Sequence, residues 1–208
     1  MDLESNADLA TRLCLDAQRR LERSVAELDD EAIRVPSKLP AWTRAHVITH
    51  LARNADAHAR RLRGALEGVD VAKYPGGASQ RRAEIEHGAA SDAATIRRDL
   101  IVSQHRLSVL LRQARDEGWP NSHFLGGGHY GVKASPAHRL REVEMHHVDL
   151  NLAYQPADWP LEYVEWDTPS LLATVPERMP RLRDKQSFLA WMADRGLADP
   201  AWEISPWG

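Results

Sequence analysis

The chain has 208 residues, 43% of them hydrophobic and 27% charged, with a formal net charge of −3. That balance fits a globular protein with one substantial core and room for a small second unit. It argues against a dedicated nucleic-acid binder, which needs a strongly basic face, although Arg60-Arg61-Leu62-Arg63 is a candidate anion site. No apolar run approaches the ~20 residues that span a bilayer. Residues 1–6 are polar and acidic and show no secretory pattern, so a cytoplasmic protein without nucleic-acid or membrane partners is expected.

Residues 6–29 read as a first amphipathic helix, with Leu9, Leu13, Leu21, Val25 and Leu28 at intervals of three and four or their sums. Cys14 is the single cysteine, which excludes an internal disulfide and a Cys-rich zinc site. It shares a stripe with Ala10, Ala17 and Leu21, as a buried, inert thiol would. Pro36 and Pro40 break the pattern, and Thr43 can cap a second helix that runs to about Leu66. His46, His50, Asn54 and Ala57 share one stripe of that helix, and either histidine could face a metal.

Tyr74-Pro75-Gly76-Gly77 is a turn, followed by a short polar helix over residues 78–87 that carries Arg81 and Arg82, both candidate anion contacts. Ser91-Asp92 can cap a third long helix with an inner face of Ile96, Leu100, Ser103, Leu107, Leu110 and Leu111, ending at Glu117-Gly118. The glycines at 126–128 do not follow a strand and so read as a loop near a site mouth, not a phosphate cradle.

Pro136 opens a fourth long helix, expected to reach about Tyr154. It carries Arg141-Glu142-Val143-Glu144-Met145-His146-His147-Val148-Asp149-Leu150. Glu142 and His146, four residues apart, point the same way. Leu140, Val143, Val148 and Leu150 surround the pair, where a lone carboxylate is costly unless it is paired or metal-bound. Asp149, one turn past His146, is a candidate to orient it. Four long helices joined by moderate loops predict a mainly α, antiparallel four-helix bundle over residues 1–155, in whose interior side chains of facing helices converge. Residues 156–208 then form a shortened C-terminal region packing on the bundle. Short helices are expected at residues 169–173 and 187–192, before an extended aromatic end.

Several segments resemble the mycothiol-dependent maleylpyruvate isomerase family. They are Leu39-Pro40-Ala41-Trp42-Thr43, His50-Leu51-Ala52-Arg53-Asn54, Tyr74-Pro75-Gly76-Gly77, the Glu142 segment, and Tyr154-Gln155-Pro156-Ala157-Asp158-Trp159-Pro160. The resemblance covers roughly residues 5–165, in the family's order and spacing. It implies a DinB-like four-helix bundle holding a divalent metal, usually Zn2+, on one histidine of the second helix and a Glu-x-x-x-His pair of the fourth. Here those ligands are His50, Glu142 and His146. The resemblance thus selects His50 over His46.

It also implies mycothiol as a cosubstrate and a small dicarboxylate as substrate. Maleylpyruvate would be isomerised to fumarylpyruvate by thiolate addition, bond rotation and elimination. A thiol of pKa about 8.5 is mostly protonated at neutral pH, and a metal lowers that value. Arg195 is the nearest match to the family's substrate arginine, with Arg82 and Arg53 as further candidates for cofactor or substrate binding. The tail departs from the family, because the sheet-forming middle of its C-terminal domain is largely missing, leaving an α or α+β extension. A mycothiol S-transferase acting on electrophiles is therefore an alternative. A non-catalytic helical scaffold is another, and a hydrolase would more often show the absent His-Glu-x-x-His. A monomer or homodimer is expected.

Overall fold

The computed structural model describes residues 2–125, 130–199 and 201–205. It divides into two compact units, residues 1–163 and 164–208. The first unit is built from four long helices and a short one: α1 (Ala7–Val25), α2 (Arg44–Leu66), α3 (Gly77–Ala89), α4 (Ala93–Asp116) and α5 (Ser135–Asp149).

Each long helix forms where an apolar stripe meets a stop signal. Asn6 caps α1, its Oδ1 accepting from Leu9 N at 3.2 Å. Ala10, Cys14, Ala17, Leu21 and Val25 are its buried stripe. Asp92 caps α4 through Thr95 N at 2.8 Å, and Gly118, at φ +72°, terminates it. At the start of α2, Thr43 N donates to His46 Nδ1 at 3.2 Å and Thr43 Oγ1 lies 2.8 Å from the same nitrogen. His46 thus completes a capping box, while its Nε2 faces Glu86 at 3.4 Å.

Side-chain pairs fix the directions of the bundle. Between α2 and α5, His50 meets Glu142 while Asn54 meets Arg139, so numbers rise on one helix as they fall on the other. The α1/α4 pairs Gln18–Ser108 and Glu22–Gln104 show the same opposition. Arg53–Asp99 and Asp56–Arg106, by contrast, make α2 and α4 parallel, as Arg20–Glu144 and Ser24–His147 do for α1 and α5. The order is up, down, down, up. A parallel α2/α4 pair requires one long crossover, and residues 67–92 supply it. Within that crossover α3 lies against α2, where a Cβ on Gly88 would come within 2.6 Å of Thr49 Cγ2. A side chain there would push α3 away, so the glycine sets the close approach.

The fourth long helix ends at Asp149, earlier than the pattern predicts. Asn151 adopts φ +54°, the left-handed conformation that stops a helix and that asparagine tolerates. The freed carbonyls are capped from the α1–α2 connection and the first residue of α2: Lys38 N donates to Asp149 O at 2.8 Å, and Arg44 Nε to Leu150 O at 2.8 Å. This clamp holds the C-terminal turn of α5 against the start of α2, where the metal-ligand candidates lie.

The second unit contains most of α6 (Leu161–Arg178) and all of α7 (Leu182–Met192). The described residues carry no strand, only an isolated bridge between Pro36 and Thr43. The helix expected at residues 169–173 is longer on both sides, continuing through Pro169 and Pro176. Proline removes one helical hydrogen bond without ending a helix that is held elsewhere. Here Thr168 and Thr174 hydroxyls donate to Val164 O and Leu171 O, one turn back. Phe188, Trp191 and Trp202 form an aromatic cluster, with centroids 5.4–5.8 Å apart. The three-glycine stretch and His129, and the final three residues, lie outside the described residues.

Candidate metal centre

Three side chains from α2 and α5 meet, His50 buried and Glu142 and His146 half-buried. His50, Glu142 and His146 each offer a ligand atom, all within 4.8 Å of one another. His50 Nε2 lies 3.0 Å from Glu142 Oε2, and His146 Nε2 lies 3.7 Å from the same oxygen. The two imidazoles stand edge to face, their centroids 4.6 Å apart. His46 does not join them, because the helix cap uses its ring.

The electrostatics suit a cation. Burial pushes the His50 pKa down to about 4, against the opposing pull of Glu142, so the ring is neutral and can ligate. Burial alone would raise Glu142. The hydrogen bond from His50 and the positive charge of Lys73 outweigh it and hold the carboxyl well below the usual range. Two imidazoles and one carboxylate form a donor set that catalytic zinc sites use, with a fourth position left open.

Neighbouring groups contact both imidazoles. His146 Nδ1 donates to Asp149 Oδ2 at 2.9 Å, which turns Nε2 towards Glu142. On the other side, Arg81 Nη2 lies 3.0 Å from His50 Nδ1, with its guanidinium carbon 5.9 Å from the Tyr74 ring centroid. Trp42 closes the wall beside His50, centroid to centroid 5.7 Å.

The arginines singled out from sequence are placed differently. Arg82 is exposed on α3, and it is Arg81 that reaches His50. Arg53 pairs with Asp99 at 2.6 Å and Asp56 at 3.2 Å. Arg195 belongs to the second unit, is exposed, and donates to Ala193 O at 2.7 Å. Cys14 is fully buried, and burial raises its thiol to about 12.

Sequence reasoning took the Arg60-Arg61-Leu62-Arg63 run as a solvated face with a possible anion site, and left unused a set of interior polar groups further along the two ligand helices. On α2 these are His58 and Arg61; on α5, Arg139. The signal was there in Asn54 at His50+4 and Arg139 at Glu142−3, which continue the same two stripes.

Residues 14–151 match the family described as the mycothiol maleylpyruvate isomerase N-terminal domain. The chain belongs to that family. Two crystal structures of a mycothiol-dependent maleylpyruvate isomerase superpose on it. One is 25% identical with a TM-score of 0.72. The other, a histidine-to-alanine mutant, is 24% identical with a TM-score of 0.73. Each superposition covers 80% of this chain and 70% of the other. No curated protein matches this chain. The family match contains all three ligand candidates and stops short of Arg195. No described helix is long and apolar enough to cross a membrane.

Proposed function

We propose that this chain is a mycothiol-dependent, metal-dependent isomerase of maleylpyruvate or a close analogue, with Zn2+ held by His50, Glu142 and His146. The observation that carries the reading is the convergence of those three ligand atoms within 4.8 Å inside a bundle of this family. When bound, the metal supplies a Lewis acid that lowers a thiol's pKa, and the thiol a nucleophile that adds to an activated C=C bond and leaves after rotation.

The chain's own residues prepare the site for that chemistry. Burial keeps His50 neutral, and Asp149 holds the His146 proton on Nδ1, leaving Nε2 free to ligate. Trp42 packs beside the His50 ring. The internal thiol is unusable because Cys14 is buried and stays protonated, so the nucleophile comes from a small molecule. The substrate's carboxylates require cations, for which Arg81 is placed beside the ligands, and Arg195 and Arg82 remain candidates.

The test has two arms. Elemental analysis of protein purified without added metal should find one zinc per chain, and His50→Ala should lose it. An ultraviolet assay should then show maleylpyruvate converted only when mycothiol is present. Metal retention with thiol conjugation to electrophiles, but no isomerisation, would make the chain an S-transferase. A metal-free protein inert in both assays would leave only the helical scaffold.

A further inference from the structure

The polar stripe does not stop at the metal ligands. One turn beyond His50 on α2 comes Asn54, then His58 and Arg61. One turn before Glu142 on α5 comes Arg139. Arg61 and Arg139 are 1% and 0% exposed. Arg139 Nη1 donates to Leu51 O and Asn54 Oδ1, both at 2.9 Å, while its Nε and Nη2 have no partner among the described residues. Arg61 Nη2 donates to Tyr130 O at 2.7 Å and Phe124 O at 3.4 Å, while its Nε and Nη1 likewise have none.

Tyr130 gathers the rest of the group. Its hydroxyl lies 3.5 Å from both Lys73 Nζ and His58 Nε2. The Arg61 guanidinium sits 4.7 Å from its ring centroid and Lys73 Nζ 6.0 Å. The Tyr74 hydroxyl, next in sequence to Lys73, is buried and also lacks a partner. Glu142 is the carboxylate that acts on Lys73, and on His58 and Arg139 as well, yet it is already committed to His50 and His146.

Lys73 and Arg139 therefore both face a carboxylate that is engaged elsewhere, and Arg61 brings a third cation against the Tyr130 ring. Buried guanidinium donors without acceptors cost several kcal/mol in a dry interior, and such a deficit persists where an anion from outside completes it. Lys73 is part-exposed, whereas Arg61 and Arg139 are sealed, so an incoming acid meets Lys73 first. Asn54 and Arg139 stand about one helical turn, ~5 Å, from His50 and Glu142 along their helices. An organic acid with its carboxylate at that distance from its reacting carbon would span the centre and Arg139.

We propose that Lys73, backed by Arg139 and Arg61, is a carboxylate-binding subsite beside the metal centre that anchors one end of the substrate. This rests on the reading of the centre as the place where an unsaturated acid reacts, and it adds a residue that positions the acid without touching the reacting atoms.

The probe is maleate, a cis four-carbon dicarboxylate, titrated calorimetrically into zinc-loaded protein without thiol. Wild type should bind it. Lys73→Met and Lys73→Gln should each lose at least tenfold in affinity while keeping zinc content and melting temperature, and Lys73→Arg should restore most of it. With maleylpyruvate and mycothiol, Lys73→Met should raise KM far more than it lowers kcat. No maleate binding by wild type, or equal binding by wild type and both variants, overturns the subsite even if isomerisation is observed. Lysine-dependent maleate binding without isomerisation upholds the subsite and sinks the reaction.

Discussion

Arg81 Nη2 stands 3.0 Å from Nδ1 of His50, on the side of the ring away from Glu142. A guanidinium has only donors, so Nδ1 accepts and the ring proton sits on Nε2, donating to Glu142 Oε2 at 3.0 Å. A metal ligated through Nε2 needs that nitrogen bare, with the proton moved to Nδ1. Arg81 then has no acceptor there and must turn away. Arginine and metal thus compete for opposite protonation patterns of one ring.

Arg81→Met should accordingly tighten metal binding. The competing donor and a positive charge beside the site both disappear, and removing one charge-assisted hydrogen bond corresponds to about 1.5–3 kcal/mol, or more than tenfold. Competition titration against a chelator measures it. A weaker affinity in Arg81→Met would show instead that the guanidinium supports the ligated state.

Asp149 has the opposite role. Its carboxylate accepts from His146 Nδ1 at 2.9 Å and so favours the tautomer with Nε2 available. Asp149→Ala should weaken metal binding about 10- to 100-fold, the usual effect of removing a histidine's outer partner. Asp149→Asn keeps an acceptor and should fall between. Equal zinc affinities across all three proteins would reduce the contact to a surface pair.

Much of this centre was legible from spacing. Glu142 and His146 are four apart on a helix whose apolar neighbours reveal its buried face, and Thr43 marks where α2 begins, which sets His50 on its stripe. The sequence reading favoured Arg82 where it is Arg81 that reaches His50, because α3 has no apolar stripe to fix which face meets α2. The close approach comes from Gly88 against Thr49, a contact between distant segments. The interior arginines were missed for a related reason: a charged residue is read as solvent-facing until its long-range partners are known, and Arg139 acquires its partners Leu51 O and Asn54 only on folding. The parallel pairing of α2 with α4 was likewise hidden, since direction depends on what the crossover does.

The metal-free protein should lose stability as pH falls from neutrality. Burial lowers the pKa of His50 to about 4, of His147 to about 4 and of His138 to about 3, and drives His58 well below its ordinary value. The unfolded chain takes up these protons near pH 6.5, before the native state does, so stability is intact above that pH and declines towards pH 4. His50 alone contributes about 3 kcal/mol across the window at 1.36 kcal/mol per pH unit. Urea midpoints measured from pH 7.5 to 4.5 should fall steadily. A flat profile would mean these rings are solvated and protonate normally. Bound zinc should steepen the loss, since protons then displace it from its ligands as well.

Cys14 supplies the last test, because it separates an imported thiol from an internal one. Its side chain is fully buried in α1 and burial raises its pKa to about 12, so at pH 8 it is neither accessible nor ionised. A disulfide reagent such as Ellman's should leave the native protein unlabelled and react with one thiol per chain once urea unfolds it. Cys14→Ala removes a small buried group and should cost about 1 kcal/mol of stability through the space it leaves. Its thiol-supported turnover should match wild type, since every step needing sulfur would draw on the added thiol. Turnover that persists in wild type without added thiol and vanishes in Cys14→Ala would place the nucleophile inside the chain. That would overturn the reading of the centre as a site built to receive one from outside.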